Sequence, residues 1–134
     1  MENCIFCKII KGELPCYKVY EDEKTIAFLD IAPTNPGHTL VLPRNHFENM
    51  EEIEEGELNA LIQSVKKVGR MLKNCLEIEG YNITFNNGTI AGQVVPHIHF
   101  HVIPRHEGDR LELWPQGKFD DEWANNFIKQ INNL

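Results

Sequence analysis

The chain has 134 residues, long enough for one domain with a proper core, and its 42% apolar and 25% charged residues are those of an ordinary soluble globule. A formal net charge of −7 argues against a general nucleic-acid or membrane-surface binder, though it leaves room for a local pocket that takes a small anion. No apolar run reaches membrane-spanning length, and the start, Met1-Glu-Asn-Cys-Ile-Phe, has no basic stretch followed by an apolar one, so neither a membrane anchor nor a signal peptide is expected.

In chain order, Cys4–Gly12 reads as a short helical turn with Phe6, Ile9 and Ile10 on its apolar side. Tyr17–Tyr20 and Thr25–Leu29 read as two strands joined by the polar turn Glu21–Lys24. The breaker-rich stretch Ala32-Pro-Thr-Asn-Pro-Gly37 is a loop, and Thr39–Leu42 is an apolar strand that Pro43 ends. A long helix is expected over Ile53–Leu76, where Leu58, Leu61, Ile62, Val65, Val68 and Leu72 recur at helical spacing. Glutamates crowd its start and Lys66, Lys67, Arg70 and Lys73 its end, in the order that suits the helix dipole. Gly80–Phe85 is the next strand, Asn86–Gln93 a glycine-containing loop, and Val95–Ile103 a strand carrying three histidines. After Pro104 the chain is polar until Asp120–Leu134, where Trp123, Phe127 and Ile131 suggest a terminal helix. Hairpin strands, one long helix and a returning strand make an α+β fold with an antiparallel sheet.

The chemistry concentrates in Pro96-His-Ile-His-Phe-His-Val-Ile103. Successive side chains on a strand point to opposite faces, so His97, His99 and His101 share one face while Ile98, Phe100 and Val102 share the other. A row of imidazoles can bind metal, move protons or attack phosphorus. Cys4-x-x-Cys7 offers two thiolates, half of a tetrahedral zinc set, and spacing alone does not choose among the six histidines for the other half. Read this way the cysteines are not a disulfide framework, Cys16 and Cys75 are single thiols, and the cytoplasm is the default compartment. Gly88 and Gly92, just ahead of the histidines, permit close backbone approach to an anion, with Gln93 available as a donor.

Together these residues resemble the histidine triad family. Its signature, His-φ-His-φ-His-φ-φ with φ apolar, is met by His97-Ile-His-Phe-His-Val-Ile103. Asn86-Asn-Gly…Ala-Gly-Gln93 is similar to the family's phosphate loop, and Phe28-Leu-Asp-Ile31, Gly37-His-Thr-Leu-Val-Leu-Pro43 and Ile5-Phe-Cys-Lys-Ile-Ile10 are similar to upstream segments. The likeness runs from about Cys4 to His106, leaving 107–134 as a C-terminal extension of a single domain spanning 1–134.

The resemblance implies a five-stranded antiparallel sheet with one long helix and short N- and C-terminal helices. It implies His99 as the nucleophile that takes a nucleoside 5′-phosphoryl group, with His101, the fourth histidine His38 and Gln93 completing the catalytic set. Asp30 would accept the ribose hydroxyls, and Phe6, Ile9, Leu14, Phe28 and Ile31 would wall a purine pocket. Asn86, Gly92, Gln93 and the amides of Val94 and Val95 would hold the phosphate. Cys4, Cys7, His46 and His97 would carry a structural Zn2+, and two sheets would pair edge to edge in a homodimer, with no nucleic-acid or membrane partner. The expected activity is hydrolysis of purine nucleoside phosphoramidates or dinucleoside polyphosphates at the α-phosphate. The alternatives are a non-catalytic nucleotide-binding scaffold, or a hydrolase whose zinc activates water. One departure is visible: Val94 stands where the family often has Ser or Thr, so no hydroxyl is offered there.

Overall fold

A computed structural model of the chain describes residues 3–134. Met1 and Glu2, the start of the stretch in which no leader is expected, lie outside them. The elements in order are α1 (Ile5–Ile10), β1 (Lys18–Glu21), β2 (Thr25–Leu29), β3 (Thr39–Pro43), α2 (Glu55–Leu76), β4 (Gly80–Phe85), a 3-10 turn (Thr89–Ala91), β5 (Phe100–Arg105) and α3 (Asp121–Asn132). The five strands form one antiparallel sheet in the order β1-β2-β3-β5-β4. The α+β expectation therefore holds, with the long helix and the two short ones in place. Among the described residues no helix is long and apolar enough to cross a membrane.

The two faces of the sheet are covered unequally, and this makes the site. On one face Leu61, Val65, Val68 and Leu72 of α2 pack on Ala27, Val41, Ile98, Phe100 and Val102. Ile62, read from the sequence as part of the helix stripe, lies off it and is exposed. On the other face Ile26, Phe28, Leu40 and Leu42 meet chiefly the short α1 and its cap, through Cys4, Phe6 and Cys7, with Cys16 and Val95 packed alongside. A six-residue helix cannot roof a five-stranded sheet, so the rest of this face stays open. Pairing puts Leu40 opposite both Phe28 and His101, which places the histidines on that open side.

Besides shifts of one or two residues at the ends of α1, β1 and α3, three boundaries differ from expectation for local reasons. The helix α2 begins at Glu55 because Ile53 is buried in the preceding turn, filling the core instead of starting the helix. Strand β3 runs through Pro43, which pairs with Thr25 on β2. Since β5 pairs only with Thr39–Val41, nothing on that side needs the N–H that proline lacks. The histidine strand starts at Phe100 rather than Val95, because Val95 O accepts the N–H of His97 (2.8 Å) and Ile98 N–H donates to Phe47 O (2.9 Å) in the loop after β3. Alternation survives without the ladder: Ile98 and Phe100 stay in the α2 core, and His97 and His99 point to the other side. Helix α3 forms as expected, but it buries nothing; Trp123, Phe127 and Ile131 are exposed, and the first two stack at 4.8 Å.

Gly69 marks where α2 comes closest to β4. A Cβ there would lie 2.5 Å from the Tyr81 Oη and Cζ atoms, and Tyr81 packs against the core. Gly69→Ala is expected to destabilise the chain despite the better helix propensity of alanine. Overpacking costs about 1–3 kcal/mol and the propensity gain offsets about 1 kcal/mol, so a thermal melt should show a midpoint lowered by several degrees. An unchanged or higher midpoint would mean Tyr81 swings aside freely.

Candidate active site

The first cluster on the open face joins three distant segments. Cys4 caps the N-terminus of α1, its Sγ accepting the Cys7 N–H, which turns both thiols inward. Sγ of Cys4 lies 3.5 Å from Nδ1 of His97, and Sγ of Cys7 lies 3.3 Å from Nδ1 of His46 and 3.6 Å from Nδ1 of His97. All four ligand atoms sit within 4.8 Å of one another. A zinc ion with Zn–S of about 2.3 Å and Zn–N of about 2.0–2.1 Å sets tetrahedral S···N edges near 3.6 Å, so the set fits that ion. His97 is wholly buried and donates Nε2–H to Pro43 O (2.8 Å), which leaves Nδ1 as a lone pair aimed at the thiols. Burial pushes its pKa down to about 4, against the opposing pull of that hydrogen bond, so it is neutral and ligand-ready. Burial also raises the Cys7 thiol, with the neighbouring Cys4 adding to the effect.

The second cluster is wired by backbone groups that fix each tautomer. His99 Nδ1 faces the His97 carbonyl at 2.8 Å; a carbonyl only accepts, so the proton is on Nδ1 and Nε2 carries the free lone pair. His38 Nδ1 accepts the Thr34 N–H (3.0 Å), so its proton is on Nε2, which donates to His101 Nδ1 at 2.9 Å. The proton of His101 then sits on Nε2, a buried atom without a partner among the described residues. Burial lowers all three imidazole pKa values, His101 to about 4 with His99 and His38 adding to the effect. All three are neutral near pH 7.

Asp30, His38 and His101 also lie close enough to suggest a cation site. The tautomers argue against it. A cation on His38 Nε2 would move the proton to Nδ1, setting donor against donor at the Thr34 amide. Here the hydrogen-bond relay and the candidate metal site are told apart by which ring nitrogen the backbone takes.

Beside His99 lies a mainly apolar cavity of about 510 Å³. Phe6, Ile9, Leu14, Phe28, Asp30, Ile31, Val94, Val95 and His99 line it, all expected at the nucleotide site. Phe6 sets its ring edge-on to His99 at 5.0 Å and to Phe28 at 5.5 Å. Ile31, 90% exposed, stands at the mouth. Asp30 Oδ1 accepts the Ala32 N–H (2.8 Å), and Oδ2 is 3.6 Å from His38 Nε2. The N–H groups of Val94 and Val95 have no protein acceptor among the described residues.

Two expected phosphate ligands are placed differently. The Gln93 carboxamide is fully engaged: Oε1 accepts the Gly88 N–H (2.8 Å), and Nε2 donates to Glu48 O (2.7 Å) and Val95 O (3.1 Å). It braces the loop instead of pointing into the cavity. Asn86 lies with His38 and His101 around a second cavity of about 660 Å³, not in the wall of the first, and its Nδ2 donates to Gly92 O (3.4 Å). Gly92 has φ of 100°, the left-handed conformation that lets the loop turn toward the histidines. Sequence reasoning missed Cys16, which joins the cavity wall, and the backbone partners Thr34 N, Pro43 O and His97 O, which leave no side-chain signature.

Fold and site define a class of α+β proteins that hold neutral, tautomer-fixed histidines at the end of an apolar cleft, beside a Cys2His2 cluster whose geometry fits a metal ion. The chain belongs to the HIT domain family, whose sequence model matches residues 11–108. It is 58% identical over 106 residues to an uncharacterised HIT-like protein of Methanocaldococcus jannaschii, covering 79% of this chain and 81% of that one. It is 48% identical over 107 residues to the adenosine 5′-monophosphoramidase of Candida albicans, covering 77% and 70% of the two chains. Among solved structures, a HIT family member from Bacillus subtilis superposes with a TM-score of 0.87 at 40% identity, covering 98% of this chain and 96% of that one. A zinc-bound histidine triad family protein of Mycobacterium smegmatis superposes with a TM-score of 0.79 at 32% identity, covering 98% and 97%.

Proposed function

We propose that the protein is a nucleotide hydrolase that cleaves purine nucleoside phosphoramidates, or dinucleoside polyphosphates, at the α-phosphate through a nucleotidyl-His99 intermediate. One observation carries the reading: of the three aligned histidines, only His99 presents an unshared Nε2 lone pair beside a nucleobase-sized cleft. The phosphoramidase name of the Candida albicans relative supports the same chemistry.

In the first displacement His99 Nε2 attacks phosphorus, the bond from phosphorus to the leaving nitrogen or oxygen breaks, and the departing group takes a proton from solvent. The positive charge on the substituted imidazole is eased by the hydrogen bond from Nδ1 to the His97 carbonyl. Water then attacks phosphorus, the electron pair returns to Nε2, one proton goes back to solvent and the nucleoside monophosphate leaves. Asp30 takes the ribose hydroxyls, and the free N–H groups of Val94 and Val95 hold phosphoryl oxygens, while Gly92, whose own N–H is spent on Thr89 O (3.0 Å), only turns the loop toward them. His101 Nε2–H and Asn86 line the path of the leaving group. Gln93 serves indirectly, by holding the loop in shape.

Cys4, Cys7, His46 and His97 would hold the zinc, which supplies structural cross-linking; four protein ligands leave it no open position for water. A reducing cytoplasmic setting suits the thiolates. The unpaired edge of β4 and the exposed apolar side of α3 favour a homodimer, which sedimentation tests directly.

Incubation with adenosine 5′-phosphoramidate and with dinucleoside polyphosphates should release nucleoside monophosphate, read by chromatography. Absence of release from every such substrate, with the nucleotide still bound, would favour the scaffold alternative. The cleft itself is tested at its mouth. Ile31→Glu should raise KM about tenfold with kcat little changed, since losing some 60 Å² of apolar contact is worth about 1.5 kcal/mol. An unaltered KM would place the base elsewhere.

A further inference from the structure

The proton on His101 is set from outside its own strand. The chain of donors runs from the Thr34 amide through His38 to His101, and one backbone N–H gives it its direction. Thr34 lies in the loop between β2 and β3, rich in prolines and without regular structure of its own. What fastens that loop is Asn35, which is buried. Its Nδ2 donates to Pro104 O in β5 (2.9 Å) and to Asp109 Oδ2 (3.1 Å), and its backbone carbonyl accepts the His38 backbone N–H (3.0 Å). Asp109 is clamped in turn by Arg105 Nε (2.8 Å) and Nη2 (3.0 Å). Pro104 and His101 share one strand, so Asn35 ties the loop carrying one end of the relay to the strand carrying the other.

We infer that Asn35 is a positioning residue: by pinning the 33–37 loop to β5 it holds the Thr34 amide on His38 and keeps His101 presenting an N–H, not a lone pair, to the group that leaves phosphorus. The inference rests on the hydrolase reading above. Its physical basis is charge. As the bond to phosphorus breaks, negative charge grows on the leaving atom; a donor at His101 Nε2 stabilises it, and a lone pair there would repel it. If the loop loosens, the Thr34 donor drifts off His38 Nδ1, and both imidazoles are free to exchange tautomers.

Two measurements on the zinc-loaded protein test this. Long-range 1H–15N correlation spectra of the 15N-labelled chain report which ring nitrogen of each histidine carries the proton. The wild type should show Nε2 protonated on both His38 and His101, and Asn35→Ala should give mixed tautomers at both. Kinetically, Asn35→Ala should slow release of an alkylamine from its adenosine phosphoramidate about tenfold, the worth of one good hydrogen bond. Release of p-nitrophenol from adenosine p-nitrophenyl phosphate, whose leaving group delocalises its own charge, should change less than about twofold. A thermal melt establishes that the variant is folded; if it is not, Thr34→Pro, which deletes the amide donor itself, takes its place.

A wild-type proton on His101 Nδ1, an unchanged single tautomer in the variant, or equal slowing of both substrates overturns the inference. A wild-type protein that turns over neither substrate removes the hydrolase reading, while the spectra still decide what Asn35 does to the relay.

Discussion

His99→Ala should lower kcat/KM for an adenosine phosphoramidate by at least about 10³-fold while leaving nucleotide binding largely intact, because the substitution removes the only competent nucleophile from an otherwise unchanged cleft. The neighbours cannot stand in for it. His97 has one nitrogen turned to the thiols and the other bonded to Pro43 O. His101 has Nδ1 occupied by His38, and its Nε2 carries a proton. Neither offers a lone pair toward the cavity, so the loss should be near that of deleting the whole triad.

Quenching a wild-type reaction and weighing the protein should reveal one nucleotidyl group per site, mapped to His99 by peptide analysis. A variant within tenfold of wild type, or turnover without any adduct under single-turnover conditions, means that water attacks directly and the covalent step is wrong. If wild type and variant bind nucleotide equally and neither turns it over, the protein is a binder.

Much of this was legible in the chain because side-chain pattern carries it. Strands β2 and β4 fall at their expected bounds, each an apolar run between turn residues. The alternation of His97, His99 and His101 with Ile98, Phe100 and Val102 forecasts the two faces correctly, even though only His101 of the three histidines lies in a hydrogen-bonded strand. What escaped is what backbone atoms decide. Nothing about Pro43, Thr34 or Val95 as residue types announces that their carbonyls or amides fix a tautomer or end a ladder. Gln93 shows the opposite failure. Its place after Gly92 matches a phosphate-binding loop, yet its carboxamide is spent on Gly88, Glu48 and Val95, a demand visible only once the loop after β3 is packed beside it.

Stripping the metal should lower the melting temperature by more than about ten degrees, and loss of activity should follow the unfolding curve. The four proposed ligands come from α1 and its cap, from the loop after β3 and from the segment entering β5, so one ion would cross-link three parts of the chain that share no strand ladder at that point. At free zinc a thousandfold above Kd, binding to the native state alone contributes about 4 kcal/mol, and each kcal/mol moves the midpoint of a chain this size by several degrees. The same ion would steady the proposed nucleophile at one remove, because the carbonyl that fixes the His99 tautomer belongs to His97. Cys4→Ser separates ligation from local structure. Serine is a good N-cap, so the hydrogen bond from the Cys7 N–H survives while a thiolate ligand is lost. This variant should carry less than one zinc per chain by elemental analysis, melt lower, and regain neither property on oxidation-free refolding. Wild-type apoprotein should recover stability and turnover together when zinc returns. An apoprotein that melts like the holoprotein yet is inactive would show that the metal takes part in the chemistry, and a purified protein that neither contains zinc nor gains stability from it would show that these four side chains are not a metal site.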